Sequence, residues 1–395
     1  MPDYKWVKKE LSYNGLSCQF IGRRRPACAK CVEACSKNAL LEGEESIEMD
    51  AERCEDCGDC VAVCPTGALC WKITGRRPIG EFIEGRENRI LVICEKTLWH
   101  ETIEPDIASG DFSLPGEVAP VLVDNIGFYS ELDFIEALHV SRHAIVVLAR
   151  GDADEKRPFA RAAELVGQMV RRLFEREMVY VFSDAGSFRS AIAKIAEAKE
   201  CALLPAVARP AAGKTTKREE LRSVLEKWLE VAGAKVSRDK ANTVPNTAFA
   251  TIECESEKCI LCGACANQCK VKALRVVSTT DEERALVYSP ISCLNCGVCV
   301  AVCSESALVS REGLLLDDSF LSERELARSE GLRCAQCGKL FTMARRAQRA
   351  SSLVREKMGD DPIREELLGL CQDCRAKKAL FTYTDWSDKQ NRLQG

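Results

Sequence analysis

The chain has 395 residues, of which 24 are cysteine, and it carries 56 Lys and Arg against 60 Asp and Glu. A net charge of −4 argues against a nucleic-acid-binding protein, and a hydrophobic content of 46% argues against global disorder. No apolar run approaches the roughly 20 residues that span a bilayer, and the polar N-terminus lacks a signal core, so we expect a cytoplasmic protein. Thiols stay reduced there, and so many cysteines indicate metal ligands.

The first cysteine-rich segment spans residues 18–64 and contains eight cysteines. Its second half, residues 54–64, has the spacing C-x2-C-x2-C-x3-C. Its first half, residues 28–35, keeps the last three cysteines of that spacing, and the nearest preceding cysteine is Cys18. Three possibilities stay open for the missing position. Cys18 fills it, Cys70 fills it, or one metal position is left without a protein ligand.

Residues 88–233 contain no cysteine cluster, and short apolar runs alternate there with amphipathic stretches. Buried strands that alternate with helices predict a doubly wound parallel sheet. The predicted strands are residues 89–93, 119–123, 144–149 and 178–182, and the predicted helices are residues 131–139, 159–176, 188–199 and 217–232. No nucleotide-binding motif is complete: Gly213-Lys214-Thr215 resembles the end of a phosphate-binding loop, but Ala208 stands where that motif needs glycine.

The second cysteine-rich segment contains two complete copies of the spacing, at residues 259–269 and 293–303. An internal repeat accompanies the cysteines, because three residues and then Ala-Leu follow the last cysteine of every run. These pairs are residues 39–40, 68–69, 273–274 and 307–308. Glycine follows the second cysteine in three runs, where a tight turn needs its backbone freedom, and Ala29 takes that place in the first run.

Two further CxxC pairs lie near the C-terminus, separated by a predicted helix at residues 343–358. Two such pairs can close a tetrahedral site with four sulfur ligands, and we favour structural zinc over iron. The predicted site is the C-terminal quartet, Cys334, Cys337, Cys371 and Cys374. The arginines of the intervening helix are interpreted as a solvated face rather than a nucleic-acid surface.

Both cysteine-rich segments resemble bacterial-type ferredoxin domains with two [4Fe–4S] clusters, over about a quarter of the chain. In that pattern the fourth cysteine of each run binds the neighbouring cluster. The resemblance implies low-potential one-electron transfer and four ligand sets, with zinc knuckles as the alternative. Set 1 is Cys18, Cys28, Cys31 and Cys64; set 2 is Cys35, Cys54, Cys57 and Cys60; set 3 is Cys259, Cys262, Cys265 and Cys303; set 4 is Cys269, Cys293, Cys296 and Cys299.

The middle of the chain resembles the delta subunit of methyl-viologen-reducing hydrogenase, through residues 90–94, 120–123, 134–138 and 144–148. That family carries a [2Fe–2S] cluster and passes electrons between a hydrogenase and a heterodisulfide-reductase-type flavoprotein. Only Cys94 falls near a ligand position of the family. The resemblance therefore implies a domain that keeps the shape of the family and its docking role but lacks the [2Fe–2S] cluster. Cys94 is then a buried thiol.

The predicted fold class is a multidomain α+β and α/β protein. We expect a dicluster ferredoxin domain over residues 1–75, the doubly wound α/β domain over 86–234, a second dicluster ferredoxin domain over 250–315, and a zinc-ribbon-like module over 330–385.

The sequence favours an electron-transfer subunit with up to four [4Fe–4S] clusters and one zinc ion, active in anaerobic metabolism. Its catalytic partner is expected to be a flavoprotein of the heterodisulfide-reductase type, a hydrogenase, or a molybdenum or tungsten oxidoreductase such as formate dehydrogenase. No nucleophile–base arrangement accompanies the cysteines, so no catalytic residue is assigned. Two alternatives stay open: a self-contained reductase with a flavin or nucleotide in the α/β domain, and a regulatory or nucleic-acid-binding iron–sulfur protein.

Overall fold

The computed structural model forms two compact units. The first unit comprises Met1–Thr251, Ile291–Cys296 and Glu312–Ser322, and the second comprises Ile252–Pro290, Gly297–Arg311 and Glu323–Gly395. The residues that the structure describes are 4–8, 11–20, 28–71, 79, 83, 85–86, 89–141, 143–150, 157–197, 204, 216–233, 243–244 and 249–379. The Gly-Lys-Thr sequence at 213–215, Cys201 and the chain from residue 380 onward lie outside them.

The N-terminal cysteine segment forms a small sheet, a hairpin and two short helices. Its elements are β1 (Tyr4–Lys8), β2 (Leu11–Asn14), α1 (Lys30–Glu33), β3 (Leu40–Glu42), β4 (Ile47–Met49), α2 (Asp59–Val63) and β5 (Leu69–Trp71). Strand β2 pairs antiparallel with β1 and β5, and β3 pairs antiparallel with β4. The repeated leucines Leu40 and Leu69 begin β3 and β5 and are buried in one core with Leu11 and Tyr13. The Ala-Leu repeat therefore marks core positions.

A four-stranded parallel sheet follows in the same unit. Its strands are β6 (Ile90–Glu95), β7 (Val118–Val123), β8 (Ile145–Leu148) and β9 (Val179–Phe182), in the order β7-β6-β8-β9. All three neighbouring pairs are parallel. Each predicted strand overlaps one of these strands. The central strands β6 and β8 are buried almost throughout, which explains why they are continuous apolar runs rather than alternating ones.

Helices connect these strands, and the side chains of the sheet belong to two separate apolar clusters. The helices are α3 (Lys96–Thr102), α4 (Glu104–Ser109), α5 (Glu131–Ser141), α6 (Pro158–Phe174), α7 (Ala185–Glu197) and α8 (Lys217–Ala232). Leu91 and Ile93 of β6 share one cluster with α5 and α6, whereas Ile90 and Val92 share another with α3 and α7. Because side chains alternate along a strand, the two clusters cover opposite faces of the sheet.

Short elements complete the first unit. Residues 126–128 form a 3-10 turn after β7, in which Asn125 accepts a hydrogen bond from the Gly127 amide at 2.8 Å. The remaining elements are β10 (Thr243–Val244), which pairs with β15 (Leu314–Leu315), and α11 (Asp318–Leu321).

The second unit contains most of the second cysteine segment and the whole C-terminal quartet. Its elements are β11 (Ala250–Cys254), α9 (Ala264–Gln268), β12 (Leu274–Ser278), β13 (Glu283–Tyr288), α10 (Val298–Ala301), β14 (Leu308–Glu312), β16 (Arg324–Arg333), β17 (Leu340–Met343), α12 (Ala344–Met358) and α13 (Pro362–Leu368). Residues 372–379 are also helical. Strands β12, β13, β16 and β17 form one antiparallel sheet in that order. The quartet hairpin is therefore continuous with the sheet of the cysteine segment.

Two glycines allow the N-terminal cysteine segment to contact the parallel-sheet part of the first unit. A Cβ atom at Gly58 would lie 2.4 Å from the backbone nitrogen of Phe128, and one at Gly127 would lie 1.9 Å from the carbonyl oxygen of Cys57. Both obstacles are backbone atoms, so rotating a side chain cannot relieve the clash. The Asn125 side-chain amide also donates to the carbonyl of Asp56 at 2.7 Å. This contact requires glycine on both sides.

We expect Gly127→Ala to destabilise the first unit by about 1–3 kcal/mol, the usual cost of overpacking a filled site. The urea midpoint of the variant measures this. Gly116→Ala is the matched control, since a Cβ there meets nothing within 4 Å. Equal midpoints for the two variants would contradict the close contact.

Candidate metal centres

Left-handed backbone turns shape three of the cysteine runs. The residue before the second cysteine and the glycine after it both have positive φ, and a short helix begins at the next residue. The φ values are 55° and 84° at Asp56 and Gly58, 50° and 77° at Leu261 and Gly263, and 51° and 72° at Asn295 and Gly297. Other L-residues avoid this conformation, so glycine lowers the cost of the turn. In the first run Ala29 has a φ of −124°, and the run follows a different path.

A second turn follows the fourth cysteine of every run. The residue three positions later has positive φ in all four copies, at Asn38, Gly67, Lys272 and Ser306. In two copies the amide of the repeated alanine then donates to the cysteine sulfur. Ala39 lies 3.2 Å from Cys35 Sγ, and Ala307 lies 3.3 Å from Cys303 Sγ. The Ala-Leu repeat thus places a backbone donor on a thiol that is predicted to bind metal.

The structure brings the four cysteines of set 1 together. Burial raises the pKa of the Cys28 thiol to about 11, and the neighbouring charges of Cys64 and Cys18 raise it further. Burial also raises the pKa of Cys31, followed by the charges of Cys64, Cys28 and Cys18. Cys18 therefore lies beside Cys28 and Cys31 despite its displacement in the sequence. The buried Tyr13 hydroxyl is hydrogen-bonded to Cys18.

Cys70, the alternative for the displaced position, has a different environment. It lies in β5, and its sulfur is 3.1 Å from the hydroxyl oxygen of Ser12 on the neighbouring strand.

The cysteines of set 2 line one cavity of about 420 Å³, part of which is open to solvent. Apolar side chains, including Leu40 and Phe128, complete its wall. Burial raises the pKa of Cys60 well above its ordinary value, and nearby thiols raise it further. Those thiols are the other three of set 2 together with Cys31 of set 1, so the two sets are neighbours.

Set 3 lines a second cavity of about 420 Å³ in the second unit. The equal volumes and equivalent lining agree with the internal repeat. Burial raises the pKa of Cys265 to about 11, followed by the charge of Cys259. Sequence reasoning left Cys254 unassigned, but it contacts this set: burial raises its pKa to about 12, and Cys259, Cys265 and Cys303 raise it further. Its position five residues before the run was the available signal.

Set 4 is divided between the units. Cys293 and Cys296 belong to the first unit, and Cys269 and Cys299 belong to the second. Cys269 ends α9, and Cys299 lies within α10.

The C-terminal quartet is the most compact cysteine group in the described part of the chain. All four sulfurs lie within 4.8 Å of one another, and Cys337 and Cys371 Sγ are 3.7 Å apart. A tetrahedral zinc with Zn–S bonds of about 2.3 Å requires sulfurs about 3.8 Å apart. No such tight group of Cys, His, Asp or Glu occurs elsewhere among the described residues, so sets 1 to 3 hold their sulfurs further apart. The quartet therefore fits a single metal ion.

A backbone hydrogen bond connects the segments of the two pairs, because the Ala335 amide donates to the Gly369 carbonyl at 3.1 Å. Within the first segment, the Cys334 amide donates to the Lys339 carbonyl at 2.9 Å. Burial opposes ionisation of Cys334, but amide donors from Cys371, Cys337 and Gln336 outweigh it and lower the pKa to about 6. Burial and the neighbouring thiols raise the pKa of Cys374 to about 12. Four thiolates this close together need a cation.

Two cations from the parallel-sheet part contact the N-terminal cysteine segment. The Arg157 guanidinium donates to Asp59 Oδ1 and to the Cys57 carbonyl, both at 3.0 Å. Lys217 Nζ donates to the carbonyls of Ala62 at 2.8 Å and Cys64 at 3.1 Å. Their side chains are only 23% and 13% exposed, so solvent screens these charges weakly. Sequence reasoning missed both, because no motif surrounds them.

Cys94 lies buried in β6 and donates to the Glu95 carbonyl at 3.4 Å. Burial raises its pKa to about 12, followed by the charge of Glu95. The Cys94 site therefore provides no ionised thiol, and the described residues place no second cysteine at it.

Comparison with known proteins agrees with this arrangement. Residues 24–68 and 258–307 match the 4Fe-4S dicluster domain family. A 7Fe ferredoxin from Hydrogenibacillus schlegelii is 46% identical over 41 residues, which cover 10% of this chain and 53% of that protein. The polyferredoxin protein MvhB of Methanothermus fervidus is 47% identical over 49 residues, covering 10% of this chain and 12% of that protein. The chain thus spans about half of the first relative and a small part of the second.

A ferredoxin from Alicyclobacillus acidocaldarius subsp. acidocaldarius is 37% identical over 60 residues, covering 15% of this chain and 77% of that protein. Within the described residues, no helix has both the length and the apolar character needed to cross a membrane. The predicted resemblance to dicluster ferredoxins is confirmed, and so is a mixed α/β multidomain fold. The chain belongs to the ferredoxin family and carries two 4Fe-4S dicluster domains.

Proposed function

We propose that the chain relays single electrons through four [4Fe–4S] clusters, to or from a catalytic partner. The observation that carries this proposal is the meeting of three thiols from one run with the fourth thiol of the neighbouring run. Cys64 lies with Cys28 and Cys31, Cys35 lines the cavity of run 54–60, and Cys303 lines that of run 259–265. This crossing is the ligand pattern of two-cluster ferredoxins.

The donor chemistry of sets 1 to 3 fits iron–sulfur clusters. Each set contains four cysteines, and the cavity walls of sets 2 and 3 are largely apolar. Burial raises the pKa of the Cys28, Cys31, Cys60 and Cys265 thiols, which keep their protons unless positively charged metal replaces them. Cys18, rather than Cys70, completes set 1, because the charge of Cys18 raises the pKa of both Cys28 and Cys31. Set 4 rests on the spacing of its run and on the family match over residues 258–307.

The clusters would supply storage for single electrons, and the polypeptide would supply spacing and insulation. The influence of Cys31 on Cys60 supports transfer between the clusters of sets 1 and 2. The amide donors on Cys35 and Cys303 sulfurs, and the cations Arg157 and Lys217, stabilise added negative charge. We assign no substrate chemistry to the chain, which acts as a subunit of an oxidoreductase complex.

The C-terminal quartet is proposed to hold structural zinc in a zinc-ribbon-like module. Its sulfur spacing supports a single tetrahedral ion.

The parallel sheet is proposed to be the doubly wound α/β domain of the hydrogenase-delta type without its cluster, and apolar clusters on both faces of the sheet support this. A cytoplasmic partner is proposed among flavoproteins of the heterodisulfide-reductase type, hydrogenases, and molybdenum or tungsten oxidoreductases.

Anaerobic iron and sulfide analysis, followed by EPR of the reduced protein, tests the relay. We expect about 16 iron and 16 sulfide ions per chain, as four cubanes require. Cys18→Ser is expected to lose or convert one cluster, because set 1 then keeps three thiolates. Cys70→Ser is the matched control and should retain all four clusters. If Cys70→Ser loses the cluster and Cys18→Ser keeps it, the assignment of set 1 is wrong.

Arg157→Gln is expected to lower the reduction potential of the set 2 cluster, since it removes a weakly screened positive charge. The shift should be on the order of 60 mV, a tenfold change in a one-electron equilibrium. An EPR-monitored redox titration measures it. Arg172→Gln makes the same charge change at an exposed site and should leave every potential unchanged. Identical titrations for both variants would contradict the role of Arg157.

Cys371→Ser is expected to remove one zinc ion per chain, because a tetrahedral site that loses one of four thiolates binds its ion far more weakly. Elemental analysis measures zinc beside iron in the same sample, and iron should stay unchanged. The exposed neighbour Asp373 provides the control variant Asp373→Asn, which should keep the zinc. Full zinc in Cys371→Ser would exclude the quartet as its site.

A further inference from the structure

A second, larger cleft lies beside set 3 in the second unit. Its empty space, including the part open to solvent, is about 1320 Å³, about three times that of the set 3 cavity. The loop and helix of residues 261–267 form one side, and strands β12 and β17 contribute the others. Phe341 and Met343 of β17 are half-buried and leave apolar surface at its wall.

The charge of this cleft is positive. Four of its lining residues are basic and none is acidic: Lys272, Arg275, Arg284 and Arg346. Arg275 pairs with Glu323. Among the described residues, no hydrogen-bond or ion-pair partner exists for the side chains of Lys272, Arg284 and Arg346, which are exposed. On a chain of net charge −4, this concentration of uncompensated positive charge creates a local attraction for anionic groups.

The cleft leads to the ligands of one cluster site. Cys262 is exposed and lines both the cleft and the set 3 cavity, as do Leu261, Gly263 and Val276. The loop that contains Cys262 and the side of β12 that carries Val276 therefore lie between the two spaces. The equivalent cysteine of set 2, Cys57, is half-buried. Because electron tunnelling weakens steeply with distance, an electron carrier seated in this cleft is favourably placed to exchange with set 3.

We propose that this cleft is the docking site for the acidic surface of a redox partner protein. The proposal rests on the proposed relay and adds the place of entry or exit at set 3. The four cations come from separate segments, which are β12, β13, α12 and the turn before β12. Charge distributed in this way complements an extended acidic surface and speeds association more than it tightens binding. Small-molecule sites are more enclosed and more apolar than this open cleft.

The test uses the full-length protein with its clusters and, as probe, a reduced flavodoxin of strongly negative net charge. Stopped-flow absorbance gives the rate of cluster reduction at about 50 and 300 mM salt, where screening differs strongly. Wild-type protein should be reduced more slowly at high salt. The triple variant Lys272→Glu, Arg284→Glu and Arg346→Glu should be reduced about tenfold more slowly or worse at low salt.

A matched variant reverses three exposed basic residues of the first unit: Arg161→Glu, Arg172→Glu and Lys194→Glu. It makes the same change in net charge and should keep the wild-type rate and salt dependence. Equal slowing of both variants would overturn the docking site, since net charge alone would then explain the effect. The docking site would also be overturned if wild-type protein bound free flavin mononucleotide stoichiometrically and the cleft variant did not. The occupant of the cleft would then be a small anion.

Two readouts separate this proposal from the relay itself. Iron and sulfide content, and reduction of all clusters by the cationic methyl viologen radical, should be unchanged in both triple variants. A cleft variant with full clusters that loses only the flavodoxin reaction supports docking. A wild-type protein without cubane clusters refutes the relay, whereas one with clusters and a salt-independent flavodoxin rate refutes docking alone.

Discussion

Buried thiols that crowd one another are the constraint on which the structure depends. Cys60 and Cys265 are buried, Cys28 and Cys31 are half-buried, and each lies close to other thiols whose charges oppose its ionisation. Without metal, such sites keep their protons. With an iron–sulfur cluster, the same burial excludes water and strengthens every contact between sulfur and cation. The surrounding turns have to fix the thiols before binding, which explains why left-handed residues recur at the same positions of the runs.

The parallel-sheet part of the first unit does more than connect two ferredoxin domains. Its 3-10 turn lies against the backbone of the set 2 loop, and its helices place Arg157 and Lys217 on carbonyls of Cys57 and Cys64. A cation on the carbonyl of a ligand residue stabilises negative charge at the metal site through a short path. The same part of the fold retains Cys94 as a buried thiol in β6. In the proposed relay, the contribution of this part would therefore be electrostatic.

The sequence predicted those features whose cause is local. Cysteine spacing located the runs, three of which share the same left-handed turns, and apolar runs located the parallel strands to within a few residues. Helix α8 has the predicted bounds, since Thr216 and Glu219 form a capping box that marks its start.

Features that depend on tertiary pairing could not be predicted from the sequence. Strand β16 is polar, with only Ala327 and Ser329 buried, and it becomes a strand because β13 and β17 pair with it. No motif near Arg157 or Arg346 indicates where these residues lie, because Arg157 contacts Cys57 across 100 residues and Arg346 joins cleft residues that precede it by more than 60 residues. Short helices such as α3 have too few turns to show a period.

Strand β16 pairs with β13 along Arg324–Glu330 and with β17 along Gly331–Arg333. This ten-residue strand therefore joins strands β12 and β13 of the cysteine segment to strand β17, which follows the first CxxC pair of the quartet. Oxygen attacks iron–sulfur clusters far more readily than redox-inert zinc. If the quartet holds the proposed zinc ion, a second unit that has lost a cluster to oxidation would still be held together at the far end of the same sheet. Such an apoprotein would be preorganised for repair, because new iron and sulfide could be inserted into an existing scaffold without refolding of the chain.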